Sequence, residues 1–364
     1  MHIPDGYLSP ATCAVGYAVA VPMWAVAATR VKKTVKSRTV PTLAVLSAVS
    51  FLVMMFNIPV PDGTTAHAVG GVLIAVLLGP WAAVIAVSVA LLFQALLFGD
   101  GGVLSYGINV MNMAIILPFV GYAIYRLVAG QAPLTSRRRV VAAGIGGYVG
   151  INAAALATAI ELGVQPTLFH TADGTPLYAP YHLAQTVPAM MLAHLTVAGF
   201  AEAALTAGVV AYLQRANIPL LRINNPDVPL TADEQDLEAH GRRWRPGLIA
   251  ALAVGAMVLL TPIGLLAPGG AFGEDAPQNL DVSGLGLQTV PSGLAKWNGF
   301  WHHAVFGGYD YSGDSHPTLG YIVSAVVGVA VVGAFTFLIA WTVSRLNARR
   351  IRSAATTDQE LTSA

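Results

Sequence analysis

Apolar and polar stretches alternate along this chain in a simple way: nine long apolar runs are separated by short polar connections. The runs fall at about 8–29, 40–60, 66–79, 81–98, 107–129, 140–163, 183–213, 247–267 and 318–343. A helix needs roughly 20 mainly apolar residues to cross a bilayer. The pattern therefore predicts an all-α polytopic membrane protein of about nine transmembrane helices. The third run is short and meets the fourth at Gly79-Pro80, a helix-breaking pair. It reads as a partial span deep in the bundle.

The polar connections divide the nine runs into parts. Residues 1–215 form a seven-span block, 216–246 a polar linker with Pro219, Pro226 and Pro229, and 247–343 two spans around a long outer loop at 268–317. Residues 344–364 are a polar tail. Basic residues set the orientation. With the N-terminus outside, the inner segments hold Arg30, Lys32, Lys33, Lys36, Arg38, Arg126, Arg137 to Arg139, Arg215, Arg222, Arg242, Arg243, Arg245, Arg345, Arg349, Arg350 and Arg352; only Lys296 falls outside. Lysine and arginine are retained on the cytoplasmic side, so the linker and C-terminus are expected there.

Composition agrees. Hydrophobic residues make up 55% and charged residues 10% of the chain, where a soluble domain carries about 25% charged residues. A net charge of +1 argues against a nucleic-acid partner, and the surface is expected to meet lipid. The single cysteine, Cys13, has no disulfide partner within the chain and reads as a small buried residue. The first basic residue is Arg30, so the positive region of a cleavable leader is missing. Met1 is therefore expected to stay.

That retention gives the first eight residues, Met-His-Ile-Pro-Asp-Gly-Tyr-Leu, a specific chemistry. A free amine, the His2 amide nitrogen and the His2 imidazole close a five- and a six-membered ring on one ion, placing three nitrogens in a plane. Square-planar nitrogen coordination suits Ni(II) or Cu(II). Pro4 and Asp5-Gly6 turn the segment back onto the bundle. A fourth donor is available at the same outer depth in His67, although a histidine opening a helix is also an ordinary structural residue.

Other polar groups sit in or beside spans. Asn57, Gln94, Asn109 and Asn112 either support a metal loop or make interhelical hydrogen bonds; Asn109 and Asn112 are the better candidates for support. His194 and Glu202, eight residues apart in the seventh span, are intramembrane ionisable groups and thus functional candidates, or pair with each other structurally. Glu161 reads as a residue reaching water. Trp301-His302-His303 reads as an interfacial anchor or a metal-handling patch.

Three stretches resemble a known family. MHIPDGYLSP at the start, GTTAHAVGGVLIAVLLGPWAAV at 63–84 and LLFQALLFGDGGVLSYGINVMNM at 91–113 are similar to the substrate-binding component of cobalt/nickel energy-coupling-factor transporters. Residues 247–343 resemble the small two-span accessory subunit of such systems, fused here. VPSGLAKWNGF at 290–300 resembles its PDGLE motif, with Ser292 and Ala295 as departures. The resemblance implies a metal held by the Met1 amine, the backbone nitrogen and imidazole of His2, and His67. It implies a transported Ni2+ or Co2+ and no cofactor, a multi-pass place in a prokaryotic cell membrane, and work with a transmembrane coupling subunit and two cytoplasmic ATPases. The fused form is closer to nickel systems than to cobalt ones.

The chain has no GxxxxGK[ST] loop, so ATP hydrolysis is expected on separate subunits. It has no H-E-x-x-H or G-x-S-x-G motif either, so it is not expected to be an enzyme. The leading expectation is the metal-specificity subunit of an ATP-driven importer. The alternative is a stand-alone nickel/cobalt permease, for which only His194 and Glu202 supply intramembrane titratable groups.

Overall fold

The structure, a computed structural model, describes residues 1–34, 39–56, 58–60, 64–240, 246–266, 280–311 and 316–362. Asn57, Lys36, Arg38, Arg242, Arg243, Arg245 and much of the expected outer loop, 267–279 and 312–315, lie outside the described residues.

The chain is a polytopic membrane protein built of helices, with one short two-stranded hairpin. Helix α1 (Pro10–Thr34) begins where Ser9 accepts the Thr12 amide at 3.0 Å, with proline at the first helical position, a favoured helix start. It is followed by α2 (Val40–Met54), α3 (Gly71–Leu78), α4 (Pro80–Phe98), α5 (Tyr106–Ala129), α6 (Arg137–Gly163) and α7 (Leu183–Ala216). Short helices α8 (Ile218–Arg222) and α9 (Ala232–His240) occupy the expected linker. Then come α10 (Pro246–Leu260), α11 (Ser292–Trp297) and α12 (Pro317–Thr362).

Among the described residues, seven helices are long and apolar enough to cross a membrane. The pattern's nine runs include two shorter ones. α2 has 15 residues and α3 only 8, about 22 and 12 Å at 1.5 Å per residue. The shortness of α3 is tolerable because it is enclosed. Every residue of α3 is buried, and irregular backbone at membrane depth is permitted where protein, not lipid, surrounds it. Gly79, at φ 91°, breaks α3 from α4. The all-helical reading also missed a small hairpin. Strands β1 (Ile58–Val60) and β2 (Thr64–Ala66) pair antiparallel just before His67.

The C-terminal part packs onto the first block. α12 lies along α2, with the Thr336 hydroxyl donating to Ser47 at 3.1 Å and the Tyr321 hydroxyl donating to the Met55 carbonyl at 3.1 Å. Gly328 makes this approach possible: a Cβ there would stand 2.0 Å from the Phe51 ring. Three π-helical turns interrupt the spans, at Gln94–Phe98, Val110–Ile116 and His194–Ala198. Such turns often mark functional regions, and here they border the buried N-terminus.

Candidate metal centre

The first nine residues form no helix, yet they are buried. Met1 is 3% exposed and His2 4%. Two loops hold them. Helix α4 ends at Gly99, whose positive φ of 66° turns the chain into Asp100-Gly101-Gly102. The Gly102 amide donates to the Ile3 carbonyl at 2.9 Å. Asn109, at the start of α5, completes the clamp. Its Oδ1 accepts the Ile3 amide at 2.9 Å and its Nδ2 donates to the Ile3 carbonyl at 3.0 Å. Asp5 accepts the amides of Val103, Leu104 and Ser105 at 3.0, 2.8 and 3.1 Å, the role an acidic residue plays at a helix start. Gly102 must be glycine, because its Cβ would stand 2.5 Å from the Asp5 amide nitrogen.

Further along, the Ser9 amide donates to Gln165 Oε1 at 3.0 Å, and the Ala179 amide donates to the Tyr7 carbonyl at 2.9 Å. Ile3, Tyr7 and Leu8 are packed with Leu280 and Leu294 of the C-terminal part. The segment is thus pinned from both sides.

His67 arrives from the opposite wall, in the irregular stretch between β2 and α3. Its Nδ1 lies 3.1 Å from the Ala68 carbonyl. A ring that donates Nδ1–H there leaves the Nε2 lone pair for another partner, the usual arrangement of a ligating imidazole. His67 is 1% exposed, and burial disfavours a charged ring. Nε2 faces the Met1 amine at 3.1 Å. The His2 and His67 rings stack with centroids 4.9 Å apart and 21° between planes. His2 Nδ1 lies 3.2 Å from Asp100 Oδ1. Burial raises the Asp100 pKa, against a hydrogen bond from Tyr309 and the charge of the terminal amine.

Met1, His2 and His67 therefore meet in one buried place. Adjacent donors around a square ion with bonds of about 2.0–2.1 Å stand about 2.9 Å apart. The 3.1 Å between the Met1 nitrogen and His67 Nε2 is close to that spacing. Among the described residues no three His, Cys, Asp or Glu side chains form a ligand set. A metal here would have to take donors from the terminal amine and the backbone.

The supporting candidates separate. Asn109 binds the N-terminal segment. Asn112 does not: it donates to Thr158 at 3.0 Å and Glu161 at 2.6 Å, because the π-helical turn that begins at Val110 rotates it onto another face. Glu161 consequently serves this contact and not bulk water. Glu202 and His194 do not pair with each other. Glu202 Oε2 accepts the amides of Val69 and Gly70, both at 2.8 Å, and so holds the loop that carries His67. His194 Nδ1 contacts the Met190 carbonyl at 2.7 Å. Trp301 donates to the Leu96 carbonyl at 2.9 Å, while the His302 and His303 rings lie tilted by 40° with centroids 4.2 Å apart at the surface. Sequence reasoning took Asp5 only as a turn residue and gave no role to Asp100 and the two glycines after it. The run Gly99-Asp100-Gly101-Gly102 was the available signal, since consecutive glycines mark close backbone approach.

Residues 2–220 match the family described as the cobalt uptake substrate-specific transmembrane region. The chain is 46% identical over 348 residues to the fused nickel transport protein NikMN of Rhodobacter capsulatus, covering 92% of this chain and 95% of that one. It is 45% identical over 337 residues to the probable fused nickel transport protein LarMN of Lactiplantibacillus plantarum, covering 91% and 95%. Among solved structures, a truncated transition metal transporter superposes with a TM-score of 0.56 at 61% identity, covering 58% of this chain and 98% of that one.

Proposed function

Because this chain belongs to the cobalt uptake substrate-specific transmembrane family, a membrane component of nickel or cobalt transport, we propose that it captures its ion with its own N-terminus. The Met1 amine, the His2 amide and imidazole, and His67 Nε2 would form a four-nitrogen square around Ni2+ or Co2+. The observation that carries this reading is the buried 3.1 Å approach of the Met1 amine to His67 Nε2. The terminal amine donates to the His67 lone pair in the metal-free protein, and once it loses its proton the same two nitrogens stand at the spacing of neighbouring ligands.

The chemistry follows from the donors. Each must lose a proton or stay neutral to bind, so capture releases protons and weakens in acid. His2 Nδ1 exchanges its contact with Asp100 for the ion when the chelate closes. Square-planar nitrogen donors favour Ni2+, in line with the names of the two fused nickel transport proteins it resembles. We assign the N-terminus to the outside and the C-terminus to the cytoplasm, on the distribution of basic residues. Transport is driven by ATP hydrolysed on two cytoplasmic ATPases, through a separate transmembrane coupling subunit.

The stand-alone permease is the weaker reading, because Glu202 is already committed to two backbone amides. Metal uptake by cells lacking the coupling subunit and ATPases separates the two; uptake that persists would favour the permease. The chelate itself is tested by placing one extra residue before Met1. The extended protein is expected to fold, to show the thermal stability of the parent, and to bind no nickel. Normal nickel binding would overturn the reading.

A further inference from the structure

Two exposed histidines stand apart from the buried centre. His302 and His303 lie in an irregular stretch between α11 and α12. Successive side chains of an extended strand point to opposite faces. Here the backbone brings both rings to one side, with centroids 4.2 Å apart and 40° between planes. Two imidazoles bound at right angles to one ion, with metal–nitrogen bonds of about 2.1 Å, have ring centroids about 4.5 Å apart. The pair has nearly that spacing.

The stretch is pinned on both sides of the pair. The Trp301 indole donates to the Leu96 carbonyl at 2.9 Å, and the Phe306 amide donates to the Leu97 carbonyl at 2.8 Å. Residues 302–305 form a short bridge between these anchors, over the end of α4. The anchoring is done by an indole and a main-chain amide, so the fold asks nothing of the two imidazoles. His302 Nδ1 lies 3.2 Å from the Gly299 carbonyl; a ring that donates there keeps its Nε2 lone pair free, as at His67. The His303 ring meets the Trp301 ring edge-on, at 5.4 Å and 78°. Beneath the bridge is Gly99, whose Cβ would stand 3.5 Å from that of Ala304. The next residue is Asp100, whose Oδ1 lies 3.2 Å from His2 Nδ1. The histidine pair thus rides on the loop that walls the N-terminal centre.

We propose that His302 and His303 form a second, weaker metal site, which collects Ni2+ or Co2+ at the surface beside the Met1, His2 and His67 centre. Imidazole donors suit these ions, and water completes the coordination. The pair offers two protein donors with no fused chelate rings, against four nitrogens at the buried centre, so it holds an ion loosely and gives it up. An ion held there meets the neighbouring centre at a raised effective concentration. The fused C-terminal part then brings a binding site of its own. That site stands without the N-terminal chelate; only its delivering role rests on that reading.

The test titrates the full chain with nickel chloride by calorimetry and follows loading of the buried centre by the ligand-field absorption of the ion. The parent is expected to bind one ion tightly and a second weakly. A variant with both His302→Gln and His303→Gln is expected to lose the weak event, keep the absorption of the tight ion, unfold at the parent temperature and load several-fold more slowly when nickel is scarce. His170→Gln, which removes an exposed histidine elsewhere, is the control and is expected to change none of these. A single binding event in the parent would overturn the proposal. So would a weak event that survives in the double variant or falls equally in His170→Gln. An unchanged loading rate in the double variant would remove the delivering role. The parent with one residue added before Met1 keeps the two readings apart: retention of the weak event alone supports both, whereas retention of both events sinks the chelate and leaves the surface site standing.

Discussion

At one end of α6, Arg139 is buried; past the other end, Gln165 holds the N-terminal segment. The helix between them, 27 residues, separates the two places by about 39 Å. Both are polar knots assembled from distant parts of the chain. Arg139 Nε donates to the carbonyls of Ala132 and Pro133 at 2.8 and 3.1 Å, and its Nη1 donates to the Tyr125 hydroxyl and Asn225 Oδ1 at 2.7 and 3.0 Å. Nearby, Glu234 accepts from the Thr135 amide and hydroxyl and the Thr231 amide, at 2.7 to 2.9 Å. There, donors face acceptors: N–H meets oxygen, and the linker is tied to the bundle. At the N-terminal end an amine faces an imidazole nitrogen and two imidazoles stack. Buried polar groups alone do not mark a binding site. A terminal amine and two imidazoles gathered at the spacing of neighbouring ligands are a different signal.

The contrast can be broken by five substitutions. Gly102→Ala is expected to have the largest effect, because its Cβ collides with the backbone of Asp5 and expels the N-terminal segment. Nickel binding, read by competition titration, should disappear while the helical content by circular dichroism stays. His67→Ala removes a proposed ligand and should weaken binding by more than the roughly 100-fold upper range for a supporting residue; unchanged affinity would remove His67 from the ligand set. Asn109→Ala unclamps Ile3 without touching a ligand. It should weaken nickel about 10–100-fold, and an unaltered titration would show that the clamp is dispensable.

The opposite end should respond the other way. Arg139→Ala is expected to destabilise by about 3 kcal/mol, from the hydroxyl, amide and carbonyl groups it leaves unpaired. Denaturation in detergent checks this, with metal affinity unaffected in the fraction that remains folded. Loss of nickel binding there would mean that the two knots are coupled. Gln165→Ala is the smallest change, about 1 kcal/mol of stability for its hydrogen bond from Ser9, with at most a slight loss of affinity.

Much of this was legible in the chain. The long apolar runs fixed the helical membrane class, because a run of that length has few alternatives to a helix in lipid. Gly79-Pro80 marked a real break. His2 and His67 were candidates by coordination chemistry and became a ligand set through the family resemblance; the structure brings their rings to 4.9 Å. The supporting residues were not legible to the same degree. Asn109 and Asn112 look equivalent in sequence, yet a π-helical turn sends them to different partners. His194 and Glu202 suggested a pair by helical periodicity. The π turn at His194–Ala198 breaks that periodicity, and Glu202 holds the His67 loop instead.

Local pattern determines what each segment can be, since hydrophobic length, helix breakers and donor chemistry act over a few residues. Which of those segments meet is a different matter. The path from Tyr309 through Asp100 to His2 joins three regions that no spacing relates. It exists because α12 packs on α2, the aromatic rings of Phe98 and Tyr309 stack, and a glycine loop lets the N-terminus sink between them. Such contacts arise from close packing over the whole bundle, which only the folded chain decides.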